Sequence, residues 1–214
     1  MTAMAREMAE QPDVIGALLD RRHEFDARLR EIAPERPAGV LLIARGSSDN
    51  AAVYGRYVLE AALRRPVSMA APSLWTRYGI EEDLRGYLAV GVSQSGRTPE
   101  IADTLERVRA AGAAAVAITN DPASPLADAA DLTIDLQVGP EEAVPATKTV
   151  TAQLAAFAIL AHALGDPLWP DDAWDEVPLA QAAMLADDAA AAAAGAAIAR
   201  SDNHVHARAA ASEH

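Results

Sequence analysis

The residues of this sequence that could do chemistry lie in hydroxyl-rich turns, the clearest of which is Ser93-Gln94-Ser95-Gly96-Arg97-Thr98. This segment follows an apolar run, residues 87–92, that is typical of a buried parallel strand. Thr98, Pro99 and Glu100 suit the start of a helix, where free backbone N–H groups attract anions. The three hydroxyl side chains add hydrogen-bond donors. The segment therefore predicts a phosphate site, and the alternative is an ordinary turn whose serines only cap the helix.

A second turn, Gly46-Ser47-Ser48, has the same chemistry. It follows a predicted buried strand at residues 39–44 and precedes a predicted helix from about Ala51 to Leu63. In a doubly wound sheet with strand order 2-1-3-4-5, ligands bind beyond the carboxyl ends of the first and third strands, where the winding direction reverses. The two turns follow those two strands. Their convergence favours a phosphorylated small molecule as the ligand.

The elements that would position these turns alternate between strands and helices. An apolar helical stripe within residues 4–32 predicts a helical leader, residues 1–36. Residues 37–165 predict one α/β domain, a three-layer αβα sandwich around a flavodoxin-like, doubly wound parallel sheet of five strands. Residues 166–214 predict a linker, an alanine-rich helix at about 177–200, and a tail. The predicted strands are residues 39–44, 66–70, 87–92, 114–118 and 132–136.

A third segment, residues 139–149, follows the last predicted strand and leads into a helix that ends near Leu164. Its Lys148 could cover the sugar end of a bound ligand, or it could be a solvated charge at the helix start. Glu141 and Glu142 are carboxylates close to the predicted site. They are candidates for a catalytic base, and the alternative is an acidic, solvated loop.

Composition excludes several classes of function. The chain of 214 residues has a net charge of -13, which disfavours nucleic acid and acidic membranes as partners. It contains no cysteine, so disulfides, thiolate metal sites and a cysteine nucleophile are excluded. The charged N-terminus is unlike a signal peptide and no apolar run could span a bilayer, so we expect a cytoplasmic protein. His204, His206 and His214 could bind a metal, but an unstructured tail explains them better and we expect no metal site.

Four stretches of this sequence carry a resemblance to a known family. They are residues 4–12, 45–51, 93–98 and 142–148. Together they resemble the SIS (sugar isomerase) family, over roughly residues 4–165. The most similar branch is the isomerase half of glucosamine-fructose-6-phosphate aminotransferase, with the SIS-type glucosamine-6-phosphate deaminases. The resemblance implies the SIS fold and a phosphorylated sugar or amino sugar as ligand. It implies no organic cofactor, because proton transfer alone suffices for the chemistry.

The resemblance also implies which residues contact the ligand. In this family the turn at residues 93–98 holds the phosphate and the turn at residues 46–48 touches both phosphate and sugar, while Val144 and Ala146 correspond to positions near the sugar. The sequence departs from the aminotransferases in having Ala146 where they usually have serine, and Arg97 where they commonly have glutamate. The implied ligand-binding residues are Gly46, Ser47, Ser48, Ser93, Gln94, Ser95, Thr98, Val144, Ala146 and Lys148.

The implied activity is that of an amino-sugar phosphate isomerase or deaminase, which converts glucosamine 6-phosphate to fructose 6-phosphate and ammonia. It would be independent of glutamine, because no cysteine can serve as a glutaminase nucleophile. In this branch a second SIS subdomain supplies a catalytic Glu and His, and neither motif is found after residue 165. We therefore expect an incomplete enzyme that forms a homodimer or higher oligomer. The alternatives are a non-catalytic, regulatory sugar-phosphate module and a single-SIS aldose–ketose isomerase.

Overall fold

The computed structural model describes residues 2–187 and 189–200. The histidines considered as metal ligands, His204, His206 and His214, lie outside these residues. Within the described ranges, no cluster of three or more His, Asp or Glu side chains could hold a metal ion. In the same ranges, no helix is both long enough and apolar enough to cross a membrane.

Among the described residues, five parallel strands form one sheet in the order β2-β1-β3-β4-β5. Strands β1, β3 and β4 are rich in Val, Ile, Leu and Ala, and every residue of β3 is buried, as expected for a sheet with helices on both faces. The strand order confirms the predicted flavodoxin-like, doubly wound α/β fold. The strands are β1 Val40–Ile43, β2 Val67–Met69, β3 Leu88–Val92, β4 Ala114–Thr119 and β5 Leu132–Asp135.

Helices cover both faces of the sheet. One apolar cluster joins the sheet to α2, α3, α4 and α8, and a second cluster joins the opposite face to α5, α6 and α7. The sheet and the helices on its two faces therefore form the three layers of the predicted sandwich. The helices are α1 Ala3–Ala9, α2 Gln11–Asp20, α3 Arg22–Ile32, α4 Ser47–Leu63, α5 Ser73–Thr76, α6 Pro99–Ala110, α7 Pro125–Asp128, α8 Lys148–Leu164, α9 Ala173–Ala186 and α10 Ala189–Ala199.

The closest helix contact lies between α4 and α8, at Gly55 and Phe157. A Cβ atom added to Gly55 would lie 2.4 Å from the Phe157 Cδ1 atom, so the ring rests directly against the α4 backbone. Phe157 is fully buried. Glycine is required here because any side chain would occupy the space of the ring. The contact fixes the distance between two helices that both reach the carboxyl end of the sheet.

Two helix boundaries differ from the predictions. Helix α4 begins at Ser47, about one turn before the predicted start at Ala51, so both serines of its turn belong to the helix. The alanine-rich region is not one helix, because α9 ends at Ala186 and α10 begins at Ala189. Between them the Asp187 carboxylate accepts a hydrogen bond from the Ala189 N–H at 3.3 Å. Aspartate competes in this way with the helical hydrogen bonds, which explains the break.

Candidate functional site

Two helix starts meet at the carboxyl end of the sheet. Helix α4 follows β1 and α6 follows β3, and these strands are neighbours in the sheet. The residues at the two N-cap positions, Gly46 and Thr98, make no side-chain capping bond. Each helix start carries a partial positive charge of roughly half a unit together with free N–H groups. The crevice between β1 and β3 is therefore suited to an anion.

The turn after β3 keeps its hydroxyl groups available as donors. The Ser93 hydroxyl accepts a hydrogen bond from the Gly96 N–H at 3.2 Å and lies 3.5 Å from the Thr98 hydroxyl. The Ser95 hydroxyl accepts from the Arg97 N–H at 3.3 Å. A hydroxyl that accepts a hydrogen bond still has its own hydrogen to donate. The turn can thus donate to the oxygens of a bound anion without losing its internal bonds.

Residues at the end of β4 and the start of α7 hold the backbone of this turn by hydrogen bonds. The Gln94 carbonyl accepts from the Asn120 N–H at 3.0 Å and from the Thr119 hydroxyl at 3.2 Å. The Gly96 carbonyl accepts from the Leu126 N–H at 3.1 Å. Gly96 itself has φ +63° and lies against the buried Ser124 side chain. The conformation of the turn is therefore set by contacts on both sides of its backbone.

The turn after β1 is tied to helix α8 by one side-chain bond. The Gln153 Nε2 atom donates to the Ser48 hydroxyl oxygen at 3.0 Å, and both side chains are buried. This bond leaves the Ser48 hydrogen free to point elsewhere. Gln153 and Thr149 are one helical turn apart in an otherwise apolar part of α8, and sequence reasoning missed both. Their i, i+4 spacing in an apolar stripe is the signal that could have found them.

These elements enclose a cavity of about 200 Å³. It brings together all the predicted binding residues except Val144 and Lys148. Arg45, Thr149, Val150 and Gln153 also line it and were not predicted as site residues. The complete lining is Arg45, Gly46, Ser47, Ser48, Ser93, Gln94, Ser95, Thr98, Ala146, Thr149, Val150 and Gln153.

Two predicted contact residues lie away from the cavity. Lys148 is only 3% exposed, and its ammonium group pairs with the Glu10 carboxylate at the junction of α1 and α2. Val144 is 77% exposed on the loop before α8. Lys148 therefore joins this loop to the helical leader, and its charge is already matched by a carboxylate.

Glu141 and Glu142, the candidate bases, are not among the cavity-lining residues. The Glu141 carboxylate accepts from the Thr147 N–H at 2.8 Å and from the Gln94 Nε2 atom at 3.2 Å. It thus caps the start of α8 and ties that helix to the turn after β3. Glu142 is exposed, and its backbone N–H donates to the Glu7 carboxylate at 2.6 Å. In this arrangement Glu141 has a structural role and Glu142 faces solvent.

The replacement Glu141→Ala is expected to lower the free energy of unfolding by about 1–2 kcal/mol, because the N–H groups at the start of α8 lose their acceptor. Urea denaturation measures the change. Glu142→Ala is the matched control, and it is expected to change the free energy of unfolding by less than about 0.5 kcal/mol because that side chain is exposed. Equal stability of the two variants would contradict the capping role of Glu141.

An ion pair beside the cavity connects the segment after β1 with the start of α6. The Arg45 Nε and Nη2 atoms donate to the two carboxylate oxygens of Glu100 at 3.1 and 3.2 Å. The hydrogen bond with Glu100 and the negative charges of Glu100 and Asp49 raise the pKa of Arg45 above its ordinary value. Arg45 therefore stays cationic at the edge of the cavity. Arg97 pairs instead with Asp121 at 2.7 Å and is not a lining residue.

A larger cavity of about 500 Å³ lies between α2, α8 and α9. Its walls are mainly apolar and include Leu19, Leu154, Trp174 and Met184. None of the hydroxyl-rich turn residues is among its lining. It has few groups that could hold a phosphate, so the smaller cavity is the candidate site.

The fold and the cavity together define a class: a doubly wound α/β protein with a hydroxyl-lined cavity at the point where the winding reverses. Residues 36–163 match the family model described as the SIS domain. The chain therefore belongs to the SIS domain family, which confirms the resemblance seen in the sequence.

Individual relatives agree with this assignment. The chain is 33% identical over 163 residues to a glutamine–fructose-6-phosphate aminotransferase (isomerizing) from Halalkalibacterium halodurans, covering 74% of this chain and 27% of the relative. A crystal structure named as that of a phosphosugar isomerase from Silicibacter pomeroyi has 36% identity and a TM-score of 0.79, covering 86% of this chain and 56% of that one.

A glucosamine-6-phosphate deaminase from Thermotoga maritima has 22% identity and a TM-score of 0.65, covering 83% of this chain and 52% of that one, and it supports the fold alone. This chain thus spans about a quarter of the curated relative and about half of these solved chains.

Proposed function

We propose that this chain binds a phosphorylated sugar, with the phosphate at the starts of α4 and α6. The observation that carries the proposal is the convergence of two uncapped helix starts and the hydroxyl groups of both turns on one small cavity. Hydroxyl and backbone donors at helix starts are the usual protein partners of phosphate. The similarity to a phosphosugar isomerase structure supports a sugar as the rest of the ligand.

We infer further that the natural substrate is an amino-sugar phosphate, which the chain isomerises or deaminates together with a second SIS unit. Aldose–ketose conversion needs a base that carries a proton between adjacent carbons. The described residues that line the cavity include no Asp, Glu or His. The base must therefore come from a second unit placed over the open side of the cavity. A homodimer or higher oligomer is the simplest assembly that supplies one.

The same lining also favours a second candidate, a sugar-phosphate binding module without catalysis. Such a protein needs the phosphate site and the sugar contacts but no base. The two candidates differ in turnover, because only the first converts a sugar phosphate into a product. Assays of ammonia release from glucosamine 6-phosphate and of aldose–ketose conversion on the purified chain, with its oligomeric state measured by gel filtration, separate them.

Isothermal titration with fructose 6-phosphate, glucosamine 6-phosphate and unphosphorylated fructose tests the binding proposal. We expect both phosphates to bind and fructose not to bind. Ser95→Ala should weaken phosphosugar binding about 10- to 100-fold, because a hydrogen bond to a charged group is lost. Ser68→Ala, at an exposed position of β2, is the control and should change the affinity by less than about twofold. Failure of both phosphates to bind the wild-type protein would refute the proposal.

A further inference from the structure

We propose that Arg45 is a ligand-binding residue for the phosphate, and that Glu100 holds it at the edge of the cavity until the phosphate takes its place. This inference rests on the proposed phosphosugar function and adds a charged residue to a site otherwise made of neutral donors. Glu100 then acts as a competitor of the ligand. Its presence lowers the affinity for phosphate and makes binding depend on the charge of the ligand.

The position of the pair is the first support. Arg45 is the second residue after β1, and Glu100 is the second residue of α6, so the pair bridges the crevice in which the two turns meet. Arg45 lines the cavity together with Ser47, Ser95 and Thr98. A guanidinium group matches a phosphate and a carboxylate with the same pair of parallel N–H donors. Exchange of one partner for the other therefore needs no new type of contact.

Charge is the second support. Arg45 is the one cationic side chain among the described residues that line the cavity. Glu100 lies in the first turn of α6, where the helix start favours a negative group, so its carboxylate and an anionic ligand are attracted by the same helix start. A bound dianion and the Glu100 carboxylate would repel one another unless Arg45 were shared between them or transferred.

The third support is the exposure of the Arg45 and Glu100 side chains, because it determines how much free energy is needed to separate them when a phosphate binds. The side chains of Arg45 and Glu100 are 53% and 37% exposed, and ion pairs exposed to this extent contribute little to stability. Breaking the pair therefore costs little. Lys148 is not a comparable candidate, since its side chain is buried and its carboxylate partner, Glu10, lies outside the cavity.

The test measures dissociation constants of inorganic phosphate and fructose 6-phosphate by isothermal titration at low salt. We expect Arg45→Gln to weaken binding of both ligands about tenfold and to flatten the salt dependence of binding. Glu100→Gln should tighten binding about three- to tenfold. In the Arg45→Gln background, Glu100→Gln should tighten binding clearly less than it does in the wild type, because it then removes only the direct repulsion between Glu100 and the phosphate and releases no arginine.

Arg97→Gln is the matched control, since Arg97 lies in the neighbouring turn after β3 and in a similar ion pair but does not line the cavity. It should leave the affinity within about twofold of the wild type. The inference is overturned if phosphate binds the wild type while Arg45→Gln binds it equally well. It is also overturned if Glu100→Gln tightens binding as much without Arg45 as with it. If the wild type binds neither phosphate nor fructose 6-phosphate, the proposed function itself fails.

Discussion

Gly96→Ala is expected to abolish binding at the phosphate site and to lower the free energy of unfolding by about 2–5 kcal/mol. Gly96 has φ +63°, a conformation that alanine adopts only with strain. An added Cβ would also lie 2.0 Å from the Ser124 Oγ atom and 2.5 Å from its Cβ. Ser124 is fully buried and its hydroxyl caps α7, so it cannot withdraw. The turn after β3 must therefore move, and its hydroxyls with it.

Gly79→Ala separates the effect of the positive φ from the effect of the contact with Ser124. Gly79 has nearly the same φ, +61°, but an added Cβ there would have no atom within 4 Å. The free energy of unfolding of this variant should fall by only about 1–2 kcal/mol, the cost of a left-handed backbone conformation at alanine. The variant should bind the ligand normally. Urea denaturation and ligand titration of both variants make the comparison. If the two variants were equally stable and both bound ligand, the contact with Ser124 would not be what holds the turn.

Phe157→Ala is expected to lower the free energy of unfolding by about 3–5 kcal/mol, the usual cost of removing a buried aromatic ring. The ring is fully buried and fills the space between α8 and Gly55 of α4. Its removal leaves a cavity that the two helices cannot close without shifting along their whole length. Chemical denaturation followed by circular dichroism measures the loss.

Tyr57→Ala is the control for that measurement, because it removes an aromatic ring from α4 at a side chain that is 73% exposed. Its cost should stay below about 0.5 kcal/mol. A comparable loss of stability in both variants would mean that α4 depends on its outer surface as much as on α8. The packing argument would then be wrong.

The fold could be predicted because its determinants are local. Each strand is a short apolar run, and each predicted turn carries its own glycine and hydroxyls, so residues such as Ser47 and Ser93 could be placed without knowing their neighbours. The strand order was assumed to be the flavodoxin-like one, which is one of two common orders of doubly wound sheets, and the sheet has that order. The start of α4 was harder, because serines can either precede a helix or begin it.

The rest of the site depends on partners that are distant in the sequence. Gln153 reaches Ser48 across 105 positions, and Lys148 pairs with Glu10 across 138. Nothing near Lys148 in the chain predicts that it turns towards the leader and not towards the ligand. Arg45 was noticed only as part of a motif, because its partner Glu100 lies 55 positions away. These contacts are products of the folded structure and could not be obtained from local pattern.

The contacts between the leader and the loop before α8 have a consequence for the order of events during synthesis. Glu7 and Glu10 are made first, yet their partners at residues 142–148 appear more than 130 positions later. At 5–20 residues per second, a ribosome needs roughly 7–28 s to cover that interval. Throughout this time the leader carboxylates have no partner from the loop. The ligand cavity, which includes Thr149 and Gln153 of α8, cannot be complete until this later segment is made, well after the first three strands can pair.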